Sequence, residues 1–497
     1  MRGSVRKGVV AAAALLSACT VGPDYQRPDA PVPAQYKEAG WKVGEPLDAI
    51  DRGSWWSVYQ DPLLDDLEKQ IDISNQNLKA AEVAFQQAEW IVAQARAGFF
   101  PTAAVNASAQ RSRSATGAAV AGTGIGGVIS NQFSTSTSAS WVPDLWGKIR
   151  RTVESNVASA QASAGDLASA RLSAQGTLAS DYLQLRMADE LRRLLESAAK
   201  YYAESLRIIR NQYQSGTTDQ SAVSQAEAQL ESTLAQAIAV GVTRAQLEHA
   251  MAVLVGKPPA DFSIAATDQL IAVPIIPPGL PSALLERRPD IAAAERLMAS
   301  TNAQIGVAEA AFYPDITLSA DYGVMALKIA KLFTDQARFW AFGSTLAETV
   351  FDAGARRAVV EQNIAAFDQA IANYRQTVLT AFQQVEDQLA GLRILAQQAE
   401  VQDKAVAAAF EAERIINNQY LAGTVAYTSV IVAQQTALAN AETAVNIRHG
   451  RLVASAALIQ ALGGGWDASQ LPSRERIEED APLNFSPLPP ATEVRSR

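Results

Sequence analysis

The stretch NQYQSGT at residues 211–217 occurs a second time as NQYLAGT at residues 418–424, and the two copies start 207 positions apart. Each copy carries a glycine at the same place, Gly216 and Gly423, where a helix commonly ends in a left-handed residue. Self-similarity at a fixed period indicates a structural unit that is built twice. We therefore predict that each copy forms the tip of a helical hairpin.

Long helical runs enter and leave both turns. Residues 151–215 and 355–422 contain no proline, and either run would reach about 100 Å as one helix at about 1.5 Å per residue. Return helices are predicted over 219–255 and 425–462. Soluble bundles seldom need helices this long.

Both long runs carry apolar residues at the 3-4 spacing of a coiled coil. Equivalent positions of the two repeats hold the same kind of side chain, which predicts one shared seam: Leu178 with Val385, Tyr182 with Leu389, and Leu185 with Leu392. In the first run we expect the seam to continue through Leu191, Leu194, Ala198, Tyr201 and Ile208.

Two shorter helices, predicted over 63–98 and 289–311, each stop at two aromatic residues and a proline. After each proline the hydrophobic period changes to two. Alternation of apolar and small polar residues predicts four strands of about ten residues. They cover residues 102–113, 133–141, 315–322 and 339–349.

This pattern matches a transmembrane β-barrel, with a soluble sheet that has one wet face as the alternative. Four strands cannot close a barrel and would leave two bare edges in lipid, so several chains must share one barrel. Loops 114–132 and 324–338 join the strand pairs, and the second loop would hold Lys328, Lys331 and Arg338 in the outside water. The first loop is rich in glycine, but it links strand to strand, which excludes a dinucleotide-binding loop.

The chain begins with a basic segment and a short apolar run, residues 1–18, which is a secretory signal too short to span a bilayer. It ends in Leu-Ser-Ala before Cys19, which resembles the lipobox of bacterial lipoproteins. That resemblance implies cleavage before Cys19 and a covalent lipid on its sulfur, with an ordinary buried cysteine as the alternative. Thr20 follows instead of the aspartate that retains such lipoproteins at the inner membrane, so an outer-membrane location is favoured.

Composition excludes several function classes. The net charge of −9 makes nucleic acid an unsuitable partner, and the single cysteine excludes disulfides within the chain. Neither His249 nor His449 has a further histidine or cysteine at metal-ligand spacing, so both are interpreted as helix-surface or seam residues. There is no G-x-S-x-G and no P-loop. We therefore expect no enzyme activity, no metal and no cofactor other than the lipid on Cys19.

Several strings resemble the TolC-like outer membrane factor family, in the lipoprotein subgroup that serves tripartite efflux pumps. They are GPDY at 22–25, WW at 55–56 before DPLL at 61–64, and LPSALLERRPDI at 280–291, the most specific of them. The junctions DLWG at 144–147 and DAG at 352–354 also match. The resemblance extends to about residue 466.

The resemblance implies a mainly α chain with a transmembrane β-barrel. Each chain would supply four strands, long coiled-coil helices and two internal repeats, and a homotrimer would share a 12-stranded barrel. The chain then divides into a lipoprotein signal peptide at 1–18, a lipidated tether at 19–62, a first repeat at 63–256, a Pro-rich connector at 257–288, a second repeat at 289–466 and a polar tail at 467–497, expected to be an irregular strap.

The resemblance also implies function and partners. The chain would be an outer-membrane exit channel that extends into the periplasm and releases small molecules such as drugs or toxic compounds. A proton-driven inner-membrane pump of the resistance-nodulation-division type would supply the energy, and a periplasmic adaptor (membrane fusion protein) would join the two. The implied adaptor-docking residues at the helical tips are Tyr213, Gly216, Thr217, Tyr420, Gly423 and Thr424.

The periplasmic entrance is expected at Asn417, Asn418, Ser429 and Val432. Related channels carry aspartates at the positions of Ser429 and Val432, so we expect a weaker cation preference here. Three alternatives remain open: type I protein secretion through the same fold, a metal-efflux duct, and a periplasmic coiled-coil scaffold lipoprotein without a pore.

Overall fold

A computed structural model describes residues 20–33, 36–37, 54–113, 129–276 and 284–486 of the 497-residue chain. The predicted signal peptide, residues 1–18, and the predicted lipidation site at Cys19 lie outside the described residues.

The described strands form one antiparallel sheet in the order β1-β2-β3-β4. Strand bounds are β1 Thr102–Arg113, β2 Ile129–Trp141, β3 Asp315–Ala326 and β4 Arg338–Ala347. All four predicted strands are therefore present. β2 begins four residues earlier than predicted and β3 ends four residues later, which shortens both predicted loops. Two turns of 3-10 helix, Ile329–Lys331 and Asp335–Ala337, lie between β3 and β4.

The two faces of the sheet differ in polarity. One face carries a ladder of small polar side chains, in which Ser108 and Ser134 lie 2.8 Å apart and Ser112 and Ser130 lie 3.1 Å apart. The strand register places the apolar residues on the other face, with Trp141 opposite Leu318, Ala139 opposite Ala103 and Tyr322 opposite Trp340. Large side chains on this face are mostly exposed in the single chain, including Trp340 (69%) and Phe342 (76%).

Two long helices leave the sheet, α3 (Lys148–Gln214) and α6 (Ala355–Leu421). Each has 67 residues, which corresponds to about 100 Å. The return helices are α4 (Gln220–Leu254) and α7 (Tyr427–Ala461), with 35 residues each. Both hairpins predicted from the repeat are thus present. Among the helices that the structure describes, none is apolar over a stretch long enough to cross a bilayer.

The single helix predicted over 63–98 is wrong, because the structure has two helices here. They are α1 (Pro62–Ser74) and α2 (Gln76–Ala97), separated by Asn75 in an extended conformation. The Asn75 Oδ1 caps α2 by accepting from the Leu78 backbone N at 2.9 Å, and its Nδ2 donates to the Leu254 carbonyl at 2.8 Å. In the second repeat the predicted helix is present as α5 (Pro289–Ala310).

Each return helix ends where a shorter helix begins. Val255, just after α4, accepts a hydrogen bond from the Ser74 hydroxyl at 2.7 Å, next to the start of α2. Ala461, at the end of α7, accepts one from Arg288 at 2.9 Å, next to the start of α5. A Cβ at the glycine that follows either return helix would overlap a carbonyl oxygen of the adjoining segment. The expectation that the short helices continue the return helices is therefore confirmed, from residue 76 in the first repeat.

The part of the predicted coiled-coil seam that lies farther from the tips is confirmed. Its six predicted residues are all at most 9% exposed: Leu178, Tyr182, Leu185, Val385, Leu389 and Leu392. Nearer the tip of α3 the predicted seam is confirmed in part. The half-buried Leu191, Leu194 and Ala198 pack against the apolar cluster around Leu195 and Tyr202. Tyr201 and Ile208 are wrong, since they are 44% and 37% exposed. The buried residues are Leu195, Ala199, Tyr202, Leu206 and Ile209. The 3-4 spacing alone does not fix which side of a helix meets its neighbours.

The segment after the second repeat is more ordered than the predicted irregular strap. It includes a 3-10 turn at Ala468–Gln470 and a short helix, α8 (Arg474–Asp480). Ile477 of α8 is fully buried against Val92 of α2 and Val153 of α3. The described part of the connector holds one 3-10 turn, Pro259–Asp261, and one helical turn, Leu284–Arg287. A further 3-10 turn at Trp55–Tyr59 precedes α1.

Candidate functional site

Both helical tips end in the same hydrogen-bonded turn. The backbone N of Thr217 donates to the Gln212 carbonyl at 2.9 Å, and that of Thr424 donates to the Gln419 carbonyl at 3.0 Å. Gly216 and Gly423 have φ angles of 76° and 74°, which completes a Schellman motif at each end. A Cβ on either glycine would meet no atom within 4 Å. Helix termination needs the glycines, and the tip surface beside them is open.

The two tyrosines of the tips have different surroundings. Tyr213 of the first repeat is 45% exposed. Its counterpart Tyr420 donates a hydrogen bond to the Gln212 Oε1 at 2.6 Å and lies 5.3 Å from the Tyr427 ring. Burial raises the pKa of Tyr420. Tyr420 therefore joins the tip of α6 to the tip of α3, while Tyr213 leaves its ring available at the surface.

Two of the four predicted entrance residues line a groove. Ser429 and Val432 line an apolar groove of about 420 Å³ between α6 and α7, together with Ile416. Asn417 and Asn418 are not among the residues that line it. The described lining of this groove holds no acidic side chain.

The described N-terminal segment, residues 20–33, is called the N-terminal strap here. It begins at the junction between the sheet and the helices. The Val21 backbone N donates to the Trp146 carbonyl at 3.2 Å, and the Trp146 Nε1 donates to the Pro314 carbonyl at 2.8 Å. Arg151 of α3 holds the strap by donating to the Val21 carbonyl at 3.1 Å and to the Asp24 carboxylate at 2.9 Å. The residues that directly follow Cys19 are thus fixed beside the inner ends of the strands.

Comparison with known proteins identifies the family. The sequence profile described as "Outer membrane efflux protein" matches residues 67–257 and 280–464, one stretch for each repeat. The chain belongs to the outer membrane efflux protein family.

Relatives within this family are efflux components. The chain is 30% identical over 459 residues to the toluene efflux pump outer membrane protein TtgC of Pseudomonas putida, covering 91% of this chain and 94% of that protein. It is 29% identical to the pyoverdine export outer membrane protein OpmQ of Pseudomonas aeruginosa, covering 93% and 97%. It is 27% identical to the cation efflux system protein CusC of Escherichia coli, covering 91% and 96%.

Solved structures of outer-membrane channels have the same fold. The channel OprN superimposes with a TM-score of 0.81 at 28% identity, covering 90% of this chain and all of that one. MtrE of Neisseria gonorrhoeae superimposes with a TM-score of 0.79 at 27% identity, covering 90% and 99%. The predictions of a TolC-like fold and an outer-membrane efflux channel are confirmed.

Sequence reasoning missed two charged networks in the wall of this efflux channel. In the first, the Glu190 carboxylate on α3 contacts the His449 Nε2 at 2.8 Å and the Arg448 guanidinium at 2.7 Å, both on α7. His449 is 4% exposed. Although burial opposes ionisation, the hydrogen bond from His449 and the charge of Arg448 lower the pKa of Glu190. No local motif signals a contact between residues 259 positions apart.

The second network starts at the neighbouring residue, Asp189, which contacts α4 instead of α7. Its buried carboxylate accepts from Arg186 at 3.2 Å and from Arg244 of α4 at 2.7 Å. Arg186 also donates to the Tyr182 hydroxyl at 2.9 Å, and that hydroxyl donates to the Asp61 carboxylate at 2.5 Å. The network joins the start of α1 to both helices of the first hairpin.

Among the described residues there is no cluster of three or more residues able to hold a metal. The family and fold are those of channels. The geometry accordingly describes a conduit wall with two exposed tips.

Proposed function

We propose that three copies of this chain close one 12-stranded barrel and form a continuous exit duct. The observation that carries this proposal is the pairing of the described strands, in which β1 and β4 each have a partner on one side only. A lipid-facing edge with unpaired backbone groups is prohibitively costly, so β4 of one copy would pair with β1 of the next.

The helices support the same arrangement. Contacts between α2 and α3, α3 and α5, and α5 and α6 follow the order of the strands above them. This order leaves α2 and α6 at the two sides of the chain. Large apolar side chains are exposed on both, including Trp90 (55%) and Ile91 (44%) on α2 and Val359 (47%) and Leu379 (48%) on α6. A neighbouring copy would cover them and complete the periplasmic tube.

The lipid on Cys19 belongs to this proposal. The strap at Val21 lies against Trp146, at the inner ends of the strands. A diacylglyceryl thioether on Cys19 would therefore reach the periplasmic leaflet of the outer membrane without spanning it. Two or three acyl chains bury enough methylene groups for stable anchoring.

In this proposal the open tips around Gly216 and Gly423 dock a periplasmic adaptor, which connects the duct to a proton-driven inner-membrane pump. The cargo would be small molecules such as drugs or toxic compounds, in line with the toluene and pyoverdine named for two relatives. CusC is named for cation efflux, so a metal duct is the competing outcome. Adaptor crosslinking that survives a bulky residue at both glycines would contradict docking at the tips.

The decisive experiment combines assembly, conductance and phenotype. Protein extracted from outer membranes is expected to migrate as a heat-modifiable trimer and to form pores in planar bilayers. A deletion strain is expected to become susceptible to small organic compounds. A chain that forms neither trimer nor pore would be a scaffold, and sensitivity confined to metal salts or loss of a secreted protein would assign the duct to those cargoes.

A further inference from the structure

The end of the sheet that lies away from the helices is strongly basic. Arg111 and Arg113 lie at the end of β1, and Lys328, Lys331 and Arg338 lie in or beside the turn between β3 and β4, all of them exposed. The sequence from 102 to 141 contains no acidic residue, and from 323 to 347 it contains only Asp335. This end therefore carries a formal charge of +4 per chain in a protein whose net charge is −9.

The arginines of β1 lie on the apolar face of the sheet. Ser108 and Ser112 form part of the small-polar ladder, and successive side chains of a strand alternate between faces. Arg111 and Arg113 therefore share the face of Val105, which is 77% exposed. Among the described residues, no carboxylate forms a salt bridge with either arginine.

The height of the two arginines corresponds to the outer boundary of the membrane. At about 3.4 Å per residue and a tilt of about 40°, the nine steps from Thr102 to Arg111 rise about 23 Å. The apolar band of an outer-membrane barrel is about 25 Å tall. Arg111 thus reaches the edge of the hydrocarbon, where a cation is tolerated, and Arg113 extends beyond it.

A second group of basic side chains lies in or beside the turn between β3 and β4. It would join the arginines of β1 only if the proposed trimer forms, so this inference rests on the proposed function. Pairing of β4 with the β1 of a neighbour would bring Lys328, Lys331 and Arg338 beside Arg111 and Arg113 of that neighbour. Arg338 is partly neutralised by Asp335 at 3.0 Å. We call each junction of β4 with the β1 of a neighbouring copy a barrel seam. Three such seams would surround the outer rim of the barrel.

We infer that each barrel seam binds the phosphate groups of lipid headgroups in the outer leaflet. Guanidinium groups match phosphate oxygens in bidentate geometry. Three apolar side chains in the turn between β3 and β4 are exposed next to the lysines: Leu327 (69%), Ile329 (67%) and Phe333 (81%). They supply acyl-chain contacts, so the site fits a phosphorylated lipid better than a free anion.

The test uses the full-length protein in detergent and two probes: phosphorylated outer-leaflet glycolipid and the same lipid after enzymatic removal of its phosphates. Native mass spectrometry measures the apparent Kd of each. Arg111→Gln with Arg113→Gln is expected to weaken binding of the phosphorylated probe by at least about fivefold, since one basic residue near an anionic lipid surface contributes about that factor. Binding of the dephosphorylated probe should stay unchanged.

Two variants control for charge and folding. Lys200→Gln with Lys404→Gln removes the same charge from exposed positions on α3 and α6 and should leave both Kd values unchanged. Arg111→Lys with Arg113→Lys keeps the charge and should retain most of the binding of the phosphorylated probe. It therefore tests the role of charge even if the glutamine pair assembles poorly. Equal Kd values for the two probes in the wild type, or an unchanged Kd in the glutamine pair, would overturn the inference.

The same samples separate this inference from the proposed function. A heat-modifiable trimer that conducts but does not distinguish the probes would refute the lipid site alone. Failure to form a trimer would refute the proposed duct, and the barrel-seam site would fall with it, because its two basic groups would then belong to no common surface.

Discussion

The two 67-residue helices, α3 and α6, share length and tip sequence but differ in how much of their surface the chain itself covers. α3 packs against α2, α4, α5 and α7, whereas α6 packs against α5 and α7. Leu195 and Tyr202 of α3 are at most 4% exposed, while Val401 and Phe410 of α6 are 66% and 46% exposed. Sequence repetition therefore fixes the shape of an element, and its place in the order of helices decides what buries it.

The polar contacts of the two hairpins differ in the same way. Asp189 holds Arg186 and Arg244 together in the first hairpin. At the position 207 residues later the second repeat has Ala396. The first hairpin is thus fastened by a buried charge network that the second repeat lacks at the equivalent position.

The largest effect is expected from Asp189→Ala. Removing this carboxylate leaves the buried Arg186 guanidinium without its ionic partner, while Arg244 keeps Glu248 at 3.1 Å. The free energy of unfolding should therefore fall by about 3 kcal/mol, the low end for a broken buried ion pair. Thermal denaturation of the trimer, followed by circular dichroism, measures the loss. Asp403→Ala, at an exposed position of α6, is the matched control and should have little effect. Equal losses in the two variants would show that the first hairpin is not fastened by this network.

A smaller effect is expected at the contact between hairpins. Glu190→Gln should weaken the contacts with His449 and Arg448 and destabilise the trimer by about 1 kcal/mol at pH 7, since the pair is partly exposed. The pKa of Glu190 is lowered in the folded chain. The contribution of Glu190 to the free energy of unfolding is therefore fully present above its pKa in the unfolded chain. It is lost as the pH falls through the lower pKa of the folded chain.

Melting curves at pH 7 and in progressively more acidic buffers test that sign. The wild type should lose its advantage over the glutamine variant only in acid. Gln397→Ala, at the exposed equivalent position of α6, should be neutral at every pH. A gap between wild type and Glu190→Gln that widens in acid would contradict the assignment.

The features that were predictable from sequence have local signals. Gly216 and Gly423 mark helix ends, and the change of hydrophobic period after Pro101 and Pro314 marks the strands. The break at Asn75 has no such signal, because its side chain is held by Leu254, far away in sequence. The adaptor, the entrance residues and the lipid on Cys19 stay predictions.

The contacts that were missed depend on distant partners. Glu190 and His449 meet only after both hairpins have formed, and Ile477 is buried only because α8 packs on α2 and α3. The 3-4 spacing predicts Tyr201 in the seam, yet its side chain is 44% exposed. Periodicity predicts that a helix has an apolar side, but the rotation of that side is set by tertiary packing.

The tips offer a matched pair of substitutions with a smaller thermodynamic effect. Tyr420→Phe removes the part-buried hydrogen bond to Gln212 and should cost about 0.5 to 1 kcal/mol of local stability, while Tyr213→Phe should cost nothing measurable. Because Tyr420 joins the tip of α6 to the tip of α3, its loss should also raise the open fraction in planar-bilayer recordings. Equal conductance changes in the two variants would show that this contact does not restrain the entrance.

The smallest effects are expected where the return helices begin. The Asp219 carboxylate caps α4 by accepting from the Ala222 backbone N at 3.0 Å, whereas Ala426, at the equivalent position of α7, makes no side-chain cap. Hydrogen bonds from Ser221 and from the Ala222 backbone lower the pKa of Asp219, so the cap is present at neutral pH and fails in acid.

Asp219→Ala should therefore lower the melting temperature slightly at pH 7 and leave it unchanged at a pH where the carboxyl is protonated. Ala426→Asp should do the reverse and stabilise α7 by about 0.5 kcal/mol, the low end for an exposed cap. Hydrogen exchange at the first turns of α4 and α7 reports each change locally. The contrary result is that Ala426→Asp slows exchange in the first turn of α4 as much as in the first turn of α7. That result would show that the two hairpins open together, and it would contradict a separate cap for each return helix.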